Sequence, residues 1–156
     1  MTKQKSKVPI LKPDALSGNI KDFIDAINHQ NDLACALVTT SYLEQCLATL
    51  LGQYFIQGSS TVQTLFDYTQ QGILTEISSR SKFSYCLGLI GDKLFANLTT
   101  IGNIRNRFAH THPEVTFEDL EIKTFCNRLT LPTAPDQNLL KHSFGTLTLE
   151  LVSKPA

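Results

Sequence analysis

Apolar residues recur at spacings of three and four along most of the chain, which is the period of an amphipathic helix. The pattern predicts helices over residues 14–27, 32–56, 75–90, 94–108, 116–129 and 136–151, and a short helical turn over 62–68. The last helix overlaps an alternating, β-rich run at residues 146–152, and no other segment has a strand pattern. The sequence therefore predicts an all-α fold, a single-domain antiparallel helical bundle of about six helices.

The N-terminal end differs from the rest of the chain. Residues 1–12 contain four lysines and no acidic residue, and Pro9 and Pro13 disfavour a helix there. We therefore predict a flexible basic tail over residues 1–13 and a single helical domain over residues 14–156. The tail lacks the continuous apolar stretch of a signal peptide, which favours a cytoplasmic location.

The helix predicted over residues 32–56 is apolar on nearly all sides and contains one internal charge, Glu44. Its polar residues, including Thr39, Ser41 and Gln45, would lie at bilayer depth if it crossed a membrane, so we expect no membrane span. An apolar helix of this kind is typical of the centre of a bundle. A carboxylate on it needs a cationic partner, because an unpaired buried charge is costly.

Overall charge limits the partners that the protein can hold. The 156 residues include 14 Lys plus Arg and 14 Asp plus Glu, so the formal net charge is zero, and 18% of the residues are charged. A broad face that binds DNA needs clustered Lys and Arg to neutralise phosphates. We therefore expect no direct DNA binding.

Motifs of the common enzyme classes are missing. The chain has no G-x-S-x-G, no glycine-rich phosphate loop and no H-E-x-x-H, and its cysteines form no C-x-x-C pair. Each of the four cysteines lies in an apolar, helical stretch, which favours a reduced thiol in the core. We expect no cofactor and no metal, and these observations lean against an enzyme.

The stretch IRNRFAH is the densest polar cluster, because Arg105, Asn106 and His110 interrupt an otherwise apolar helix. One interpretation is a buried polar network that serves the fold. In it Arg105 pairs with Glu44 or Asp32 of the long helix, Asn106 bonds backbone carbonyls, and His110 ends its helix where a cation suits the dipole.

The other interpretation of the same stretch is chemical. Arg105 would hold a phosphate and His110 would act as general acid or base, a pairing sufficient for metal-free RNA cleavage. On a helix, residues five apart point roughly 140° away from each other. A shared site for these two side chains therefore needs a helix break or a second chain.

Three stretches resemble the bacterial mannitol operon repressor (MtlR) family: NDLACALVTTSYLEQCLATLL at residues 31–51, SSRSKFSYCLGLI at 78–90 and IRNRFAH at 104–110. Their order and spacing fit as well, and the resemblance covers roughly residues 20–130. It implies an all-helical fold and a role in transcriptional regulation without a recognisable DNA-binding motif. Our leading hypothesis is a non-enzymatic regulator that works through protein contacts, as a homodimer.

IRNRFAH also resembles the Arg-polar-x-x-x-His signature of the HEPN (higher eukaryotes and prokaryotes nucleotide-binding) superfamily. This resemblance implies a helical bundle with a metal-independent ribonuclease site built across a dimer. Arg105, Asn106 and His110 would form that site, and RNA would be the substrate. We keep this as the alternative hypothesis.

Overall fold

The computed structural model describes residues 31–110 and 115–130. They form five α-helices and one 3₁₀ helix, namely α1 (Asp32–Gly52), α2 (Ser60–Leu65), the 3₁₀ helix (Tyr68–Gln70), α3 (Ile77–Cys86), α4 (Asp92–His110) and α5 (Leu120–Cys126). No strand occurs in these two ranges, and the predicted all-α class is confirmed. The predicted tail at 1–13 and the predicted helices at 14–27 and 136–151 lie outside the described residues.

Helix α1 begins at a side-chain cap and ends four residues before the predicted Ile56. The side chain of Asn31 accepts the N–H of Ala34 at 2.8 Å, which satisfies one of the free donors of the first turn. At the other end the Gln57 amide donates to the carbonyl oxygen of Gly52 at 2.7 Å. The terminal glycine and this cap explain the earlier end of the helix.

Helix α3 also ends earlier than the predicted Ile90, at a glycine that is not the one expected. Gly88 has a φ of +71°, its N–H donates to the carbonyl of Tyr85, and the N–H of Leu89 donates to the carbonyl of Ser84. These two bonds form a Schellman motif, in which glycine takes the left-handed position without a Cβ clash. The break therefore falls at Gly88 rather than near Gly91.

Helix α5 starts later than Thr116, the predicted N-cap. The predicted pair does form: the backbone N–H of Thr116 donates to Asp119 Oδ2 at 2.6 Å. The bond closes a turn before the helix, which begins at Leu120. Beyond α5, buried Asn97 of α4 exchanges two hydrogen bonds with the backbone of Thr130, at 2.9 and 3.1 Å, and fixes the chain against α4.

The core is built around α1, which packs against α3 and α4, while α4 also packs against α5. The main cluster of buried apolar residues contains Cys35, Ala36, Leu43, Leu47, Ile77, Ile90, Leu98, Ile101, Ile104, Phe108, Phe117, Ile122 and Cys126. A smaller cluster near the end of α1 contains Ala48, Leu51, Phe66 and Leu74. Full burial stabilises each large aliphatic side chain by about 1.5–3 kcal/mol, so these clusters hold the helices together.

Helix α1 is the one described helix long and apolar enough to cross a membrane by length and composition alone. Half of its apolar 18-residue window is buried inside the fold. The core helix of a folded domain has the same properties, and the packing against α3 and α4 gives α1 that place here.

Candidate functional site: a polar pocket between three helices

Glu44, the charged residue inside α1, caps a neighbouring helix. Its Oε1 accepts the backbone N–H of Ile77, the first residue of α3, at 3.0 Å. Glu76, the N-cap of α3, makes no side-chain capping bond, so Glu44 supplies the acceptor from another helix. Burial raises the pKa of Glu44 above its ordinary value, while the bond from Ile77 and the charges of Arg80 and Arg105 act in the opposite direction.

Arg80 of α3 lies almost fully buried, at 5% exposure, beside the same turn. Its Nη1 donates to the backbone carbonyl of Glu44 at 2.6 Å, and its Nε donates to that of Leu74 at 2.8 Å. The guanidinium also lies over the ring of Phe66, 5.6 Å from its centroid. Arg80 therefore joins α1, α3 and the segment between them.

The structure differs here from the sequence prediction, which paired Arg105 with Glu44 or Asp32. Among the described residues, Arg80 is the cation that contacts Glu44, through the backbone oxygen, whereas Arg105 acts on the Glu44 carboxylate only through its charge. One sequence signal could have found Arg80. It stands three residues after Ile77 and four before Ser84, so all three share the buried face of α3.

A pocket of about 230 Å³ opens between α1, α3 and α4. Four charged residues line it, namely Glu44, Glu76, Lys82 and Arg105. Among the described residues, none of these four side chains forms an ion pair; the two ion pairs found there are Arg107 with Glu121 and Lys123 with Glu118. The pocket therefore combines two acidic and two basic groups, none of which forms an ion pair with a described residue.

Close packing of α4 on α3 shapes the floor of this pocket. Gly102 of α4 is buried, and a Cβ added to it would lie 3.3 Å from Cγ2 of Ile77. The absence of a side chain at Gly102 lets the two helices approach each other. Arg105, one turn further along α4, lines the same pocket.

The other predicted network residues do not all meet in this pocket. Asp32 Oδ2 accepts the N–H of Phe117 at 3.0 Å, at the start of α1. Twelve residues separate Asp32 from Glu44, which corresponds to roughly 18 Å along a helix. Asn106 lines the pocket and accepts a bond from Arg105 Nη1 at 3.2 Å, but His110 does not line it.

Asn106 and His110 are exposed, which differs from the prediction that both are buried in a polar network. The reason is the helical period of α4, because Leu98, Ile101, Ile104 and Phe108 occupy the face that packs in the core. Asn106 lies about 200° around the helix from Ile104, and His110 about 240°. The structure thus unites Glu44, Arg105 and Asn106 and leaves Asp32 and His110 outside.

This arrangement limits what the Arg105 and His110 pair can do within one chain. The two residues belong to one continuous helix, α4, with no break between them. Arg105 faces the pocket and His110 faces solvent elsewhere, so the two side chains cannot hold the same phosphate. A shared ribonuclease site would need residues from a second copy.

The helical architecture is shared with two solved structures. One is a possible transcriptional regulator, YggD, from Shigella flexneri 2a str. 2457T, with a TM-score of 0.64 and 16% sequence identity, covering 85% of this chain and 96% of that chain. The other is the MtlR–HPr complex from Escherichia coli, with a TM-score of 0.68 and 20% identity, covering 89% of this chain and 97% of that chain. At these identities the likeness defines the class by fold, a small all-helical domain.

The family is identified by the sequence itself. The model of the MtlR family, the mannitol repressors, matches residues 17–143. The chain therefore belongs to the mannitol repressor family, as its three sequence stretches predicted. No curated protein sequence matches the chain.

Proposed function

We propose that this chain is a transcriptional regulator of the mannitol-repressor type that acts through a bound protein partner. The observation that carries the proposal is the family match over residues 17–143. The structural likeness to MtlR in its complex with HPr supports a protein partner, and the likeness to a possible transcriptional regulator points in the same direction. HPr of the same cell is the first partner to test.

Charge supports contact with a protein rather than with DNA. The net charge of the whole chain is zero, which is unsuited to a broad phosphate-binding face. The start of α5 carries Glu118, Asp119 and Glu121, of which Glu118 pairs with Lys123 and Glu121 with Arg107, so this segment presents no net positive charge to a DNA backbone. Repression by this protein would then depend on what it binds or displaces.

Exposed apolar side chains offer a surface for such a partner. Four of them belong to the chain segment that connects α1 to α3, and we call them the 54–73 surface: Tyr54, Ile56, Tyr68 and Ile73. Their exposed fractions run from 57% to 80%. Four exposed apolar groups in one connecting segment favour a protein contact more than the single one on α5, Leu120, at 83%.

The regulatory part of the proposal is tested by transcription. Deleting the gene should raise the transcripts of the mannitol-utilisation genes in cells grown without mannitol, and the wild-type gene should restore repression. Transcript levels that do not change on deletion would contradict a repressor of this type.

The surface part is tested by complementation with matched variants. Ile56→Asp places a charge in the 54–73 surface and should fail to restore repression, whereas Leu120→Asp places the same charge at an equally exposed apolar site on α5 and should restore it. Both positions are exposed, so neither substitution should unfold the protein and both variants should accumulate normally. Full repression by the Ile56→Asp protein would exclude the 54–73 surface as the site that the partner binds.

A further inference from the structure

Arg105 has hydrogen-bond donors that no described residue accepts. The guanidinium carries five N–H groups, and the hydrogen bond it forms goes to the side chain of the neighbouring Asn106. The residue is half-buried in the pocket wall and forms no ion pair with a described residue. Lys82 of α3 also lines the pocket and likewise forms no ion pair with a described residue. A guanidinium and an ammonium group facing one cavity favour an anionic group between them.

Acceptors on the same cavity are also available. Glu44 uses Oε1 for the N–H of Ile77, and its second carboxylate oxygen has no hydrogen bond from the described residues. Glu76 contributes another carboxylate to the pocket without a side-chain hydrogen bond of its own in this part of the chain. These oxygens would accept hydroxyl or ammonium donors from a ligand.

The size of the pocket restricts the ligand. A volume of 230 Å³ equals that of about eight water molecules at roughly 30 Å³ each. It lies below the range of about 300–1,000 Å³ that is usual for drug-sized ligands. A small metabolite fits this volume, whereas a whole peptide or oligonucleotide is too large to be enclosed by it.

We propose that the pocket between α1, α3 and α4 binds a small anion that also carries hydrogen-bond donors. The anionic group lies between Arg105 and Lys82, and the donor groups face Glu44 and Glu76. The mixed charge of the pocket selects against a simple anion, since two carboxylates repel a ligand that offers no donors. This inference goes beyond the proposed function, because it adds a small-molecule site to a regulator that was argued from its protein partner.

The proposal is tested by calorimetric titration of the purified full-length protein with two probes and their fragments. The probes are glycerol 3-phosphate, which joins an anion to hydroxyl donors, and L-serine, which joins an anion to an ammonium donor. The fragments of glycerol 3-phosphate are inorganic phosphate and glycerol, and those of L-serine are acetate and ethanolamine. We expect at least one probe to bind saturably and about tenfold or more tighter than either of its own fragments, a difference of about 1.4 kcal/mol.

Matched arginine variants place the binding in the pocket. Arg105→Ala should lower the affinity for the probe about tenfold or more. Arg107→Ala removes an exposed arginine of the same helix, paired with Glu121 outside the pocket, and should leave the affinity unchanged. Circular dichroism of both variants confirms that the helices persist. Equal losses in the two variants would overturn the proposal.

Two further results would also overturn it. No saturable heat with either probe would show that the pocket takes no ligand of this class. Phosphate that binds as tightly as glycerol 3-phosphate would show that Glu44 and Glu76 recognise no donor. Neither result bears on the transcript test of the regulatory role, so the two proposals can fail independently.

Discussion

The carboxylate of Glu44 caps a helix that begins 33 residues later, because its Oε1 accepts the N–H of Ile77 at 3.0 Å. An N-cap usually comes from the residue just before the helix. Here the cap links α1 to α3 and places a half-buried acid at the edge of the polar pocket. The same group thus contributes both to the packing of two helices and to the chemistry of the pocket.

The first prediction concerns this cap. Glu44→Ala removes the acceptor and leaves the N–H of buried Ile77 without a partner, which should lower the free energy of unfolding by about 1–3 kcal/mol. Glu44→Gln keeps an acceptor oxygen at the same place and should lose much less. Urea denaturation at pH 7 measures both, and equal losses would show that the charge, rather than the cap, is what matters.

The pH dependence of the same residue has a definite sign. Burial raises the pKa of Glu44 above its ordinary value of 4.5, so the folded state binds its proton more tightly than the unfolded state does. The contribution of Glu44 to stability therefore falls as the pH rises from its ordinary pKa through the raised value. Glu44→Gln should remove this slope, so its stability relative to wild type should increase between pH 4.5 and pH 7. A relative decrease would contradict the raised pKa.

The second prediction separates two arginines. Arg80→Ala strips the backbone carbonyls of Glu44 and Leu74 of charge-assisted hydrogen bonds, each worth about 1.5–3 kcal/mol, so the loss should be about 3 kcal/mol or more. The Arg105 side chain bonds a neighbour on its own helix, so Arg105→Ala should lower the free energy of unfolding by less than about 1 kcal/mol. Thermal and urea unfolding of the two variants measure the contrast. A larger loss of stability in Arg105→Ala than in Arg80→Ala would contradict this contrast and favour the pairing of Arg105 with an acid of α1 that the sequence predicted.

The helices were predictable because their signal is local. Apolar spacing placed α1, α3, α4 and α5 in the described chain, since the period of 3.6 residues depends on neighbours in sequence. Their ends were missed where a longer-range or backbone feature decides them. Gln57 caps Gly52 at the end of α1, and Gly88 takes a left-handed conformation at the end of α3.

The site was less predictable, because it depends on which faces of three helices meet. Glu44 and Arg105, which the sequence singled out, both line the pocket. The partners of Arg80 are backbone carbonyls, which carry no sequence signature, and its place on the face shared with Ile77 and Ser84 was the one sequence signal for it. Asp32 and His110 were grouped with Glu44 by residue type, although helix length and period place both outside the pocket.

The third prediction concerns thiol reactivity. Burial raises the pKa of Cys46 to about 12 and that of Cys126 to about 11, and Cys35 is fully buried. Cys86, at the end of α3, is exposed, which differs from the buried position expected of all four cysteines. Because the thiolate is the reactive form, iodoacetamide at pH 8 should label Cys86 first and the other three only on unfolding. Peptide mass spectrometry measures the labelling rate of each cysteine. Labelling of Cys46 as fast as that of Cys86 would contradict the burial of Cys46.

The fourth prediction tests the ribonuclease alternative. Arg105 and His110 do not converge within one chain, so we expect the purified protein to leave structured and single-stranded RNA intact, with and without EDTA. Gel electrophoresis of the RNA after incubation measures this. Cleavage that is abolished by His110→Ala and by Arg105→Ala, with folding retained, would establish the alternative. Native mass spectrometry of the same sample would then show whether a homodimer supplies the composite site.

Titration of HPr from the same cell into the purified protein tests the central claim most directly, namely that this family member acts by binding a protein. The structural likeness to MtlR in its HPr complex motivates the choice of partner. We predict saturable binding with a defined stoichiometry, retained by Leu120→Asp and weakened by Ile56→Asp in the 54–73 surface. Heat no greater than that of dilution, with the protein shown to be folded by circular dichroism, would contradict the claim.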